Sequence, residues 1–193
     1  ILLWSYTGES DIRIGTLVAN RGQPGTDGLM GYFVNALVLR TRVLPAMTCV
    51  ELLNDVRETC LEAYAHQDVP FEYLEALLEK KQKRARVPLY QVMFNYRNLW
   101  TSPANANGLT IASWNGKNRA GDPGLAVAQL DVNFNLRELS TELTGAVNYK
   151  TDLFDDRRIT KLLADYSEIL KQMIAFPKRR ISKIAVGRVG ERD

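Results

Sequence analysis

Residues 125–137 alternate in a way few folds can accommodate. Leu130, Val132, Phe134 and Leu136 fall on one side, and Gln129, Asp131, Asn133 and Asn135 on the other. A period of two belongs to a β-strand, here with one buried face and one wet face. Such a strand needs neighbouring strands and an apolar layer packed on one side. The rest of the chain offers both. Asp11–Ala19 reads as a strand with Ile12, Ile14 and Val18 on one face, and Leu89–Arg97 as another after Pro88. Thr141–Lys150 fits as the hairpin partner of the alternating strand. Gly31–Arg40 is apolar on both faces, which predicts a buried central strand.

Helical signals lie between the strands. Thr48-x-x-Glu51 is a capping box, and Leu53, Val56, Cys60 and Ala63 follow at helical spacing. That helix should stop near His66, because Pro70 restricts Val69. Pro70 can open a second helix, capped by Asp68, with Phe71, Leu74, Leu77 and Leu78 inward. Asp155 can cap a last helix whose stripe is Ile159, Leu162, Leu163, Tyr166, Ile169, Leu170 and Met173. The chain opens on what reads as the end of a helix, Ile1 to Tyr6, closed by Gly8. With no initiating Met, residues 1–10 are expected to be the remnant of a preceding helix. Strands interleaved with helices predict an α/β fold, a mixed sheet with packed helices. The expected core contains Phe33, Val34, Leu37, Leu39, Phe94, Phe134 and Leu162. Leu99–Gly124 is rich in Asn, Gly, Ser and Pro and too long for a simple connection. The basic tail from Lys178 is predicted to fray, with 185–193 flexible.

Several chemistries are poorly supported. The chain has 193 residues, net charge +3, two cysteines and one histidine. No apolar run approaches the roughly 20 residues of a membrane helix, and the first residues lack the basic leader of a signal peptide. Cys49 and Cys60, eleven positions apart on one helix, would lie roughly 16 Å apart, beyond the reach of a disulfide. Free thiols suit a reducing cytoplasm. His66 and Cys60 would point about 240° apart around a helix and form no dyad. One His and two separated Cys make no zinc site, so no metal is expected. Gly116-Lys117 lacks the rest of a phosphate loop, and Gly22, Gly25 and Gly28 lack the dinucleotide spacing.

Three motifs in order carry a resemblance. Gly31-Tyr32-Phe33-Val34-Asn35, followed by Leu37 to Arg40, resembles a "GxFVNT…LR" strand. His66-Gln67-Asp68-Val69-Pro70-Phe71-Glu72 matches "HQDxPFE" at every fixed position. Arg86-x-Pro88-Leu89-Tyr90-Gln91 resembles the end of "RDxSRNPLFQ". Together they resemble the C-terminal lobe of a nonribosomal peptide synthetase condensation domain. Supporting segments, among them Tyr149 to Asp155, extend the likeness from Asp11 to about Ile184. Gln82, Lys83, Ala85, Val87 and Ala36 depart from the motifs, as does Asp131 in its Gln-Leu-Asp-Val context.

The resemblance implies a chloramphenicol acetyltransferase-like lobe, facing an N-terminal condensation lobe across a tunnel. Peptidyl or acyl carrier proteins would deliver thioesters there on phosphopantetheine arms, alongside adjacent synthetase domains. No cofactor is expected on the lobe itself. The HHxxxDG motif that forms the amide belongs to the N-terminal lobe, and a chain with one histidine does not contain it. No catalytic residue is therefore assigned, and the chain alone is expected to be inactive. A degenerate or epimerisation-type docking lobe is the alternative.

For individual residues two readings stand side by side. Asn35 lines the tunnel or satisfies neighbouring backbone. Arg40 makes a structural ion pair or a functional contact. His66, Gln67, Asp68, Pro70 and Phe71 form a structural helix-to-helix turn or approach substrate. Lys80, Lys81, Lys83, Arg84 and Arg86 meet an acidic carrier protein or line a solvated loop; they lack the aromatic platform of a nucleic-acid site. Asp131, Asn133 and Asn135 face the tunnel or water. Residues 99–124 are read as a latch that crosses to the other lobe, with Leu109, Ile111 and Trp114 as its apolar strip.

Overall fold

The computed structural model describes residues 1–26, 28–81, 88–97, 104–106, 109–111, 130–138, 142–184 and 186. Five strands form one mixed sheet: β1 (Asp11–Val18), β2 (Asn35–Arg42), β3 (Val92–Arg97), β6 (Val132–Glu138) and β7 (Leu143–Tyr149), in the order β2-β1-β3-β6-β7. β1 runs antiparallel to β2 and parallel to β3; β3 is parallel to β6, and β6 antiparallel to β7. Between β3 and β6 the short strands β4 (Ala104–Ala106) and β5 (Leu109–Ile111) pair with each other in a separate two-stranded sheet.

The helices are α1 (Leu2–Thr7), α2 (Cys49–Ala65), α3 (Phe71–Lys81) and α4 (Asp156–Ala175). Gly8 closes α1 in the left-handed conformation, and its N–H reaches the Trp4 carbonyl at 2.8 Å. The box at Thr48 and Glu51 caps α2 with both reciprocal bonds, and Asp155 caps α4 by accepting from the Arg158 N–H. Strand parity then fixes two cores. Val132, Phe134, Leu162, Ile169, Leu2 and Cys49 form one; Ile12, Val43, Leu52 and Ile181 form the other. Two cavities of ≈ 510 and ≈ 430 Å³ lie on this helix-bearing side, sharing Ile1, Ile12, Ile14, Leu52, Val56 and Phe94 as walls.

Several expectations are corrected. The buried central strand at Gly31–Arg40 is an edge strand that begins at Asn35. Gly31 to Val34 precede it, and Tyr32 and Val34 are exposed, so Val34 leaves the expected core. Phe33 is half-buried under the Arg21 guanidinium, 4.3 Å from its ring centroid. Leu37, Phe134 and Leu162 are buried as expected; Leu39 and Phe94 are partly buried. On α2 the inward stripe keeps Val56, Cys60 and Ala63, all partly buried, but opens at Leu52, which is buried, and not at Leu53, which is exposed. Leu74, Leu77 and Leu163 are likewise exposed, because α3 packs at the edge of the sheet and Leu163 lies beside the α4 stripe.

The frayed tail is also corrected through residue 184. Ile181 and Ile184 have no exposed surface. They sit in and after a single 3-10 turn, Ile181–Lys183. The Ile181 N–H donates to the Met47 carbonyl at 2.8 Å, and the Cys49 N–H to the Arg179 carbonyl at 3.2 Å. Val186 packs on the first core. Two isoleucines three apart outweigh the basic residues around them. Residues 185 and 187–193 lie outside the described part of the chain.

Candidate functional site

Strand parity places the polar residues of the alternating strand on the face away from α2 and α4. Met93, Asn95, Asn133 and Asn135 occupy the sheet's second face, with Gly15 and Leu17 of β1 beside them. Asn95 is buried although it is polar. A buried amide without partners costs about 1–3 kcal/mol, and here every group is used. Its Oδ1 accepts the Leu17 N–H at 3.2 Å. Its Nδ2 donates to Asn133 Oδ1 at 3.4 Å and to Asn135 Oδ1 at 3.3 Å. One side chain thus joins three strands across the middle of the sheet. Just before β6, Asp131 pairs with Lys150 Nζ, which follows β7, at 2.9 Å.

The same face is charged toward the other end of β1 and β2. Arg40 grips Asp11 in bidentate fashion, at 2.8 and 2.9 Å. The Arg40 hydrogen bonds hold the Asp11 carboxyl below its ordinary pKa, with the charges of Arg40, Arg13 and Arg42 acting in the same direction. Between the charged end and the amides, the Tyr90 ring lies over Gly15. A Cβ at Gly15 would stand 2.3 Å from Tyr90 Cε2, so only glycine admits the ring. Tyr90 also meets Phe71 edge-on, with centroids 5.6 Å apart.

Asn35 stands on the opposite, helix-bearing parity. Its Nδ2 donates to the carbonyls of Gln67 and Val69, both at 2.8 Å. Its Oδ1 accepts the Phe71 N–H at 3.1 Å. Asn35 therefore ties the first residue of β2 to the turn between α2 and α3. It receives the N–H that opens α3, the role expected of Asp68. The two motifs, Gly31–Asn35 and His66–Glu72, meet through this one amide. His66 is the C-terminal cap of α2; its N–H bonds the Ala63 and Tyr64 carbonyls. Asn35 and Asn133, both read as tunnel candidates, stand on opposite faces of the sheet.

Lys80 and Lys81 close α3. Lys83, Arg84 and Arg86 lie outside the described residues, as does most of 99–124, including Trp114. No group of three or more His, Cys, Asp or Glu side chains is arranged to hold a metal among the described residues. Cys49 and Cys60 are free, and burial pushes both thiols up, away from the nucleophilic thiolate. The second face of the sheet offers the amides of Asn133 and Asn135, with the ion pairs Arg40–Asp11 and Lys150–Asp131 near its ends.

Asn95 is the residue that sequence reasoning passes over. A signal exists: Phe94-Asn95-Tyr96-Arg97 and Phe134-Asn135-Leu136-Arg137 share Phe-Asn-x-Arg. These segments pair in register, Phe94 to Phe134 and Asn95 to Asn135.

Comparison with known proteins agrees with this architecture. The sequence matches the Condensation domain family over residues 1–191. One linear gramicidin synthase subunit from Brevibacillus parabrevis is 34% identical over 192 residues, which is 100% of this chain and 2% of that protein. Surfactin synthase subunit 1 of Bacillus subtilis (strain 168) is 31% identical over 94% of this chain and 5% of its own length. The chain thus spans a small part of these relatives. Among solved structures, the X-domain from teicoplanin biosynthesis superposes with a TM-score of 0.78 at 27% identity, covering 96% of this chain and 41% of that one. The four-domain nonribosomal peptide synthetase holo-AB3403 shares the fold, with a TM-score of 0.76 at 24% identity over 94% of this chain and 14% of its own. A mixed five-stranded sheet of chloramphenicol acetyltransferase-like type, the joined motifs at Asn35 and the match over residues 1–191 lead to one statement: this chain belongs to the condensation-domain family of nonribosomal peptide synthetases.

Proposed function

We propose that the chain is the C-terminal lobe of a condensation domain that joins carrier-bound acyl or aminoacyl thioesters by forming an amide bond. The observation that carries this reading is the two-sided character of the sheet. α2 and α4 pack on one face; the other bears Asn95, Asn133, Asn135 and the Asp131–Lys150 pair. A face of that chemistry suits a tunnel wall, where a polar pantetheine arm passes between two lobes. In this reading the N-terminal lobe supplies HHxxxDG and this lobe supplies the wall. Asn133 and Asp131 line the tunnel, while Asn35 shapes its rim by holding the turn at residues 66–71. Lys80, Lys81, Lys83, Arg84 and Arg86 meet an acidic carrier protein. Residues 99–124 act as the latch; β4 and β5, which pair with each other and not with the main sheet, are compatible with that role.

The test mixes the 193-residue chain, a separately produced N-terminal lobe bearing HHxxxDG, and two loaded carrier proteins. Condensed product should form only when both lobes are present. Turnover by this chain alone would overturn the reading.

A second reading draws on the X-domain likeness. That relative has also been solved in complex with OxyB, at 27% identity and a TM-score of 0.75 to this chain. A lobe that recruits a partner protein would retain carrier or partner binding and give no product in the complemented mixture.

A further inference from the structure

Asn95 does more than bridge strands. Its Oδ1 is committed to the backbone N–H of Leu17, which fixes which end of the amide is which. The Nδ2 end must then face Asn133 and Asn135, and both receive it through Oδ1. The orientation of those two amides follows: their oxygens turn inward to Asn95 and their Nδ2 donors turn away from it. Both residues are partly exposed on the face opposite α2 and α4. They are two positions apart on β6, so their Cα atoms lie roughly 6.7 Å apart along the strand, and two donors stand in succession along it.

We infer that Asn95 is a positioning residue that presents Asn133 and Asn135 as a paired N–H donor array for the carbonyl groups of an extended, amide-bearing chain. Two facts favour carbonyls over other ligands. The array offers donors without a net charge, so it suits a neutral acceptor and draws no phosphate by charge. A strand-like repeat also matches a ligand whose acceptors recur along an extended backbone. The pantetheine arm is such a chain: a β-alanine unit separates its two amide carbonyls. The assignment rests on the tunnel-wall reading above and names the side chains that would hold the arm.

The test uses the 193-residue chain labelled with nitrogen-15 and D-pantetheine as the probe. Titration should move the side-chain amide resonances of Asn133 and Asn135 and leave those of Asn54, on the exposed side of α2, in place. The informative variant is the double change Asn133→Asp with Asn135→Asp. Each carboxylate still accepts from Asn95 Nδ2, so the bridge to β1 survives while the outward donors are lost. Pantetheine affinity should fall about tenfold, the effect of two modest hydrogen bonds. The Leu17 amide should keep its protection from exchange, which separates loss of donors from loss of fold. Asn95→Leu should weaken pantetheine binding as well and also expose the Leu17 amide. Unchanged affinity in the double variant overturns the proposal. Shifts confined to other residues of the same face overturn it while leaving the tunnel-wall reading intact. Shifts confined to the helix side, or none, overturn both.

Discussion

Asn35 offers the sharpest test of how this lobe is held together. Replacing it with alanine removes three hydrogen bonds, at 2.8, 2.8 and 3.1 Å, between β2 and the turn at residues 66–71. At about 1 kcal/mol net for each neutral bond, the loss is about 3 kcal/mol. For a chain of this size that lowers Tm by roughly 6–12 °C. Asn35→Asp should be worse at neutral pH. It keeps the acceptor for the Phe71 N–H but sets an anion against the Gln67 and Val69 carbonyls. Its carboxyl should ionise above the unfolded value of about 3.9. The folded state then holds a proton that the unfolded state has released, so stability falls as pH rises through that range and recovers on acidification. Thermal melts monitored by circular dichroism at about pH 4 and pH 7, on either side of the expected ionisation, with exchange of the Phe71 amide, measure all of this. An Asn35→Ala variant within about 0.5 kcal/mol of the parent, or an Asn35→Asp variant as stable as Asn35→Ala at neutral pH, would refute the reasoning.

Ile181→Ala should cost about 2–5 kcal/mol in chemical denaturation, because the side chain is fully buried, whereas Ile174→Ala, at 82% exposure, should fall within about 0.5 kcal/mol of the parent. Thr48→Ala should cost about 1 kcal/mol by removing the box at the start of α2. The Thr48 backbone and hydroxyl bonds hold the Glu51 carboxyl below its ordinary range, so the cap's contribution is present above the unfolded pKa and is lost as pH falls through the folded one; a melt series across acid pH checks the sign. Gly15→Ala should destabilise by about 1–3 kcal/mol, since the new methyl meets the Tyr90 ring, and Gly15→Ala with Tyr90→Leu should recover part of that loss in a double-mutant cycle.

Much of this fold is legible in the sequence where the signal is local. The box at Thr48, the cap at Asp155, the glycine at residue 8 and the alternation through Val132 and Phe134 each describe a short stretch and are realised in place. What escapes reading depends on residues far away. Gly31 to Val34 look like strand interior, yet pairing with β1 begins only at Asn35, where β1 has reached Val18. Leu52 and Leu53 are equally apolar, and the sheet beneath α2 decides between them. Ile181 and Ile184 sit among basic residues and become core only because Pro45, Met47 and Cys49 meet them. The site behaves likewise. The motifs name Asn35 and the turn at residues 66–71 separately, and their union is a matter of three hydrogen bonds. The repeated Phe-Asn-x-Arg marks Asn95 in the sequence, but its role follows from strand order, which places β3 between β1 and β6.

The segment after α4 also bears on the order of events during synthesis. Thr48 and Arg180 form an antiparallel bridge, so the start of α2 is completed by residues that leave the ribosome long after α2 itself. Until then Val43 and Leu52 lack the side chain that covers them. The nascent lobe must therefore hold an open apolar surface from the emergence of α2 until Ile181 follows, the condition under which chaperones engage and neighbouring chains aggregate. Contacts of such long sequence separation also make closure slow. The lobe's vulnerable period is thus set by the arrival of Ile181.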